Sequence, residues 1–223
     1  MAAKVWFSRV KSDGSLGDKP GLRWKLFGGD WSPATHILGV PDKAYFELVQ
    51  KNDQGFALDR ACFPEALAVW DRKRFARLGD FFWANGFAVV KGRLAETLHR
   101  FDLGEGGLLP LRIFQQDLTT QEPAEFFFVN FGARKDSLVA EQSKALKKLY
   151  VDRATGRQVW SVLFGLKDGD IALTSTALEG ADLWNEERIH SKIFMSEALV
   201  TAIREAGVQI DFHLSECRIV EPN

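Results

Sequence analysis

A chain of 223 residues, 46% of them hydrophobic and with eighteen Phe and seven Trp, has the apolar mass for a sizeable core, which excludes a disordered chain. Its formal net charge of −1 offers no global field to nucleic acid or anionic lipid, so those partners are not expected. Basic residues outnumber acidic ones up to about residue 110 and the reverse holds beyond it, a tilt that ordinary surface variation explains. Met1-Ala2-Ala3-Lys4-Val5-Trp6 lacks the apolar stretch of a signal peptide, and no later run approaches a membrane span. The expected location is therefore cytoplasmic. Cys62 and Cys217 lie far apart among apolar neighbours, as buried free thiols do, and not as a disulfide or a metal pair.

The first forty residues, rich in Gly, Pro, Trp and charge, read as strand fragments and turns wrapped on a body that starts near Tyr45-Phe46-Glu47-Leu48-Val49. Residues 64–78 read as a modest helix, because Pro64 suits a first turn and Leu67, Trp70, Arg74 and Phe75 share a face. A strand over 87–90 leads to a helix over 92–101 with a Leu94, Leu98 and Phe101 stripe. Strands follow over 108–114 and 126–131, the second bulky enough to be central. Residues 147–160 read as two short strands around the turn Asp152-Arg153-Ala154-Thr155-Gly156. The strand 193–195 then meets Ser196, which can cap a helix striped by Leu199, Ala202, Ile203 and Ala206. Glu197 suits the positive end of that helix, Gly207 suits its terminator, and a second apolar stretch fills 208–220.

With Lys91 set against Ser196, Phe87-Ala88-Val89-Val90, Leu94 and Leu98 align with Ile193-Phe194-Met195, Leu199 and Ile203. The echo marks either a duplicated strand–helix–strand unit or a recurrence of a common supersecondary pattern. The expected class is α+β, with antiparallel or mixed sheets and a few short helices. Residues 1–79 are expected to form a strand- and turn-rich segment packed on a body of residues 80–223, one compact unit together.

The side chains that could carry chemistry do not assemble into a catalytic set. Glu96/His99 and Glu187/His190 each have the spacing of a di-metal carboxylate helix, but such sites need four long helices. No metal and no cofactor is expected. No Gly-x-Ser-x-Gly elbow is present, and Cys62 lacks a neighbour that would lower its pKa. Gly104-Glu105-Gly106-Gly107 follows a helix, where a turn is expected, whereas a dinucleotide loop follows a strand. His36 and His213 have no partners at ligand spacing, and Arg72-Lys73-Arg74 with Arg77 reads as the wet face of a helix.

One stretch stands out by charge. Asp168, Asp170, Glu179, Asp182, Glu186 and Glu187 occur with no basic residue among them. They form either a solvated loop or an acidic surface that docks a basic partner. Trp184 within them would anchor an interface if exposed and would fill the core if buried.

Several segments carry a likeness: Asp80-Phe81-Phe82, Phe87-Ala88-Val89-Val90 with Leu94 and Leu98, Leu109-Pro110-Leu111-Arg112-Ile113-Phe114, and Glu125-Phe126-Phe127-Phe128-Val129-Asn130. The strongest is Ile193-Phe194-Met195-Ser196-Glu197-Ala198-Leu199 through Ala206-Gly207. From roughly Asp80 onward the chain resembles the polymorphic-toxin immunity family numbered eleven, the myxobacterial type. The resemblance implies a small cytoplasmic protein encoded beside a secreted toxin, type VI effectors included. Such a protein protects the producing cell by binding its cognate toxin, and the family supplies no catalytic residue to carry over. On that reading, the acidic residues and Trp184 are the candidate toxin contacts. The alternative is a hydrolase, metal-dependent or not, that reverses a toxin's modification; the two Glu–His pairs are its only motivation.

Overall fold

The computed structural model describes residues 4–16, 20–33, 43–153, 155–208 and 210–221. His36 lies outside the described residues, as do 17–19 and 34–42 of the segment read as strand fragments and turns. In chain order the elements are β1 (Val5–Ser8), β2 (Leu22–Lys25), α1 (Lys43–Asp53), β3 (Ala66–Val69), α2 (Arg72–Phe75), β4 (Phe81–Ala84) and β5 (Phe87–Lys91). They continue as α3 (Gly92–Leu98), β6 (Gly107–Phe114), β7 (Phe126–Asn130), β8 (Arg134–Lys135), β9 (Leu146–Val151) and β10 (Gln158–Val162). The last are β11 (Ala172–Leu173), β12 (Leu183–Glu186), β13 (Ile193–Ser196), α4 (Glu197–Glu205) and β14 (Leu214–Ile219). The class is α+β, as expected.

Among the described residues the strands form two six-stranded sheets and one separate hairpin. The middle sheet runs β2-β3-β6-β7-β5-β4, and the terminal sheet runs β11-β14-β1-β13-β12-β8. Apart from the edge strands β2 and β8, the two sheets follow one plan. Each holds an antiparallel hairpin, β4/β5 or β12/β13, whose second strand pairs antiparallel with β7 or β1. Next in order comes an antiparallel partner, β6 or β14, and then a parallel strand, β3 or β11. The registers agree as well. Lys91 faces Phe126 as Ser196 faces Val5, and Leu111 faces Phe126 as Cys217 faces Val5. Ala66 faces Arg112 as Ala172 faces Arg218. The alignment of Lys91 with Ser196 therefore describes repeated strand pairing and not only a recurring sequence pattern.

Each unit sends its second hairpin strand directly into a helix, and the two helices meet. Leu94, Ala95 and Leu98 of α3 share a core cluster with Leu199, Val200 and Ile203 of α4. Ala88, Val90, Ile193 and Met195 from both sheets complete it, so the units face one another across common apolar ground. Ser196 caps α4 as its sequence predicts, accepting the Leu199 N–H at 3.1 Å. A second cluster, rich in Phe63, Phe87 and Phe128, lines the other face of the middle sheet.

Residues 64–78 depart from expectation: they form β3 and then the single turn α2, not one helix. Ala66, Leu67, Ala68 and Val69 are all buried, with β3 lying between β2 and β6. A strand buried on both faces reads as an unbroken apolar run, and Leu67 with Trp70 mimicked a helical spacing. The glycine cluster after α3 does form the turn into β6. A Cβ on Gly106 would overlap the Asn130 carbonyl oxygen, so the backbone approach there requires glycine.

Candidate functional site

The acidic stretch is dispersed by the fold. Of its seven candidate residues only Asp168 and Glu179 are exposed. Asp168 accepts the Glu216 N–H at 2.8 Å, and Asp170 accepts the Lys167 N–H at 2.9 Å. Asp182 accepts the Ser196 hydroxyl at 2.6 Å and the Asp102 N–H at 3.1 Å, which holds the α4 cap in place. Glu187 faces the Arg134 and Arg157 guanidinium groups at 3.7 and 3.2 Å. These carboxylates are engaged within the protein.

Trp184 and Glu186 sit on β12, which is buried throughout its length. Trp184 is 1% exposed, stacks on Phe194 at 5.9 Å between centroids, and carries the Lys135 ammonium 3.6 Å from its own. It fills the core, so it presents no surface to a partner. Glu186 accepts the Ser137 N–H on both oxygens and the Ser137 hydroxyl at 2.7 Å. Burial nevertheless pushes its carboxyl up to about 7.

The Glu–His pairs do not converge. Glu96 and His99 are exposed on and just after α3, with the His99 ring edge-on to Phe127 at 5.0 Å. His190 is exposed in the β12–β13 turn, and its ring meets Tyr150 at 6.2 Å. Among the described residues, no group of three or more potential ligands could hold a metal ion. Both cysteines are free; Cys217 is buried, which pushes its thiol up, whereas Cys62 is only half-buried. His213 bridges Asp13 and Asp211 at 3.3 and 3.1 Å.

A different surface is conspicuous. β9 and β10 form a hairpin outside both large sheets. It is held to the body along β10: the Trp160 N–H donates to the Arg188 carbonyl at 2.8 Å, and the His190 N–H returns to the Trp160 carbonyl at 2.9 Å. Asp136 clamps the same region through Arg157 at 2.7 Å and Arg188 at 2.9 Å. The outer edge of β9 has no strand partner among the described residues, and Leu149, Tyr150 and Val151 on it are exposed. Beyond β10 the chain exposes Leu163 and, completely, Phe164. The turn residues of this hairpin were legible in the sequence; its apolar exterior was not, since exposure depends on what the rest of the chain covers.

Under the end of β10 lies an open cleft of about 430 Å³, lined by Arg9, Ser12, Asp13, Phe164, Lys192 and His213 among others. A second hollow of about 470 Å³ begins across Asp13 and Gly14 and runs to Phe46, Trp83 and Ser191. Lys11 is buried here, its side chain 4% exposed, paired with Asp53 at 2.6 Å and placed 4.7 Å from the Phe131 centroid. Asp53 also accepts the Ser191 hydroxyl, and Lys192 donates to the Ser12 hydroxyl. Arg9 has no ion pair among the described residues, and its buried Nε has no hydrogen-bond partner. Burial, with the like charges of Lys11 and Arg9 nearby, pushes the Lys192 ammonium down from its ordinary value. The cleft is basic.

A comparison with protein families matches residues 36–215 to the Immunity protein family (Imm11). The chain belongs to that family. The match starts well before Asp80 and takes in α1 and β3, so the Imm11 likeness extends over nearly all of the middle sheet and most of the terminal one. Arg9, Ser12 and Asp13, on one side of the cleft, precede the matched span, whereas the hairpin and Lys192 lie within it. A comparison with curated proteins finds no match. Imm11 membership suggests a toxin-neutralising immunity role and, with it, a toxin as partner.

Proposed function

We propose that this Imm11 protein protects the producing cell by binding one cognate toxin in a stoichiometric complex, without turnover. The observation that carries the reading is the family match over residues 36–215. An exposed apolar hairpin beside a charged cleft supports it, since protein interfaces combine an apolar centre with a polar rim. The protein acts in the cytoplasm on a toxin delivered by interbacterial secretion, type VI systems included. No helix among the described residues is long and apolar enough to cross a membrane.

Co-expression with the toxin encoded by the adjacent gene tests this. The expected result is restored growth and a complex that survives gel filtration. Undiminished killing with no complex overturns it. The double variant His99→Ala/His190→Ala is expected to protect as well as the wild type; loss of protection by this variant, with the fold intact, would favour an enzyme.

A further inference from the structure

We propose that the β9–β10 hairpin and the basic cleft at its base are the toxin-docking surface, and that the cleft receives a carboxylate side chain of the toxin. The inference rests on the immunity reading and names the surface through which it operates.

Two features meet at this place. The first is apolar exposure: Phe164 is 101% exposed and Leu163 44% at the cleft, while Leu149, Tyr150 and Val151, nearer the hairpin's turn, stand along a strand edge that is unpaired among the described residues. An unpaired edge of this kind invites association, and Lys147 and Lys148 are the charges that guard it. The second is positive charge: Arg9 has no carboxylate partner among the described residues, Lys192 donates to the Ser12 hydroxyl with Asp53 as its nearby counter-charge, and Asp13 is shared with His213. A half-buried guanidinium lining an open cleft favours a carboxylate, which its fork can bind through two parallel hydrogen bonds. Two other exposed aromatics differ, because Arg60 covers Phe27 and Arg134 covers Phe56.

Charge selects a protein over a nucleic acid as the occupant. The whole chain carries −1, and Asp13 stands in the cleft beside Arg9 and Lys192. With that balance the chain offers no attractive field to a phosphate backbone, whereas one acidic side chain on a folded partner fits the cleft and leaves apolar residues for Phe164.

The test measures affinity for the toxic domain encoded by the adjacent gene, using the full-length chain. Phe164→Ser is expected to weaken binding at least about tenfold and Lys192→Glu about a hundredfold, with association slowed by salt; Glu179→Lys, on the acidic stretch, leaves binding unchanged. Lys192→Gln serves where the charge reversal disturbs folding, which circular dichroism reads. Wild-type affinity in folded Phe164→Ser and Lys192→Gln, with the wild type still protecting cells, overturns the docking surface and leaves the immunity reading standing. A wild type that neither binds nor protects overturns the reading itself. Retention of an RNA oligonucleotide that Lys192→Gln abolishes, with toxin affinity intact, also overturns the proposal, since the cleft would then serve a polyanion.

Discussion

The middle and terminal sheets share a strand plan but close it differently. The middle sheet draws its five common strands from residues 66–130 of one continuous segment. The terminal sheet takes four from residues 172–219 and the fifth, β1, from residues 5–8. β1 is no edge addition: it lies between β13 and β14, and Phe7 on it is fully buried against Phe194. The terminal sheet thus forms only when both ends of the chain meet, which requires closing a loop of nearly the whole protein. The two units also differ at matched positions. Ala84 on β4 corresponds to Glu186 on β12, and Lys91, which makes no side-chain cap bond, corresponds to Ser196, which does.

The strongest way to break the comparison is to delete β1. The terminal sheet then loses a central strand, and the cooperative unfolding transition is expected to vanish in calorimetry. Phe7→Ala and Phe128→Ala remove register-equivalent, fully buried rings, and each is expected to cost about 3–5 kcal/mol in urea unfolding. Their kinetics should separate them: Phe128→Ala slows refolding, whereas Phe7→Ala mainly speeds unfolding, because its sheet closes last.

Asp53 sharpens the comparison at the junction of the units, where it holds Lys11, which follows β1, and Ser191 in the β12–β13 turn. Asp53→Ala leaves a buried ammonium without its carboxylate and is expected to cost about 3–5 kcal/mol by the same measurement. Glu186 gives a pH signature that Ala84 cannot. Its folded pKa of about 7 exceeds the ordinary 4.5, so between those values the folded chain holds a proton that the unfolded chain has released. Stability contributed by this group is greatest below pH 4.5, falls as pH rises through the window, and is lost above 7, a change of roughly 3 kcal/mol. The difference between wild-type and Glu186→Gln stability curves should show that slope; parallel curves from pH 4 to 8 would refute it. The smallest effect is at the caps. Ser196→Ala is expected to cost about 1 kcal/mol, and Lys91→Ser to gain at most about that, both read from thermal midpoints.

The sequence by itself determined much of the local structure. Alternating or continuous apolar runs marked β5, β6, β7 and β13, the serine and glycine bracketed α4, and the turn-rich joint marked the β9–β10 hairpin. Those signals are local, so they survive without knowledge of neighbours. It also carried the family likeness and the echo between the two strand–helix units. Tertiary structure decided the rest. Residues 66–69 became a strand because β2 and β6 lie on either side of them, an outcome that their ambiguous spacing left open. Trp184 went inside because Leu138, Ile171, Ile189 and Phe194 pack in one cluster with it, and Glu186 because Ser137 closes over it, although their sequence surroundings are acidic. The basic cleft joins Arg9 to Lys192 and His213 across some two hundred residues, since pairing β1 with β13 and β14 is what brings the ends of the chain together. Burial and long-range pairing are properties of the assembled fold, and no window of neighbouring residues contains them.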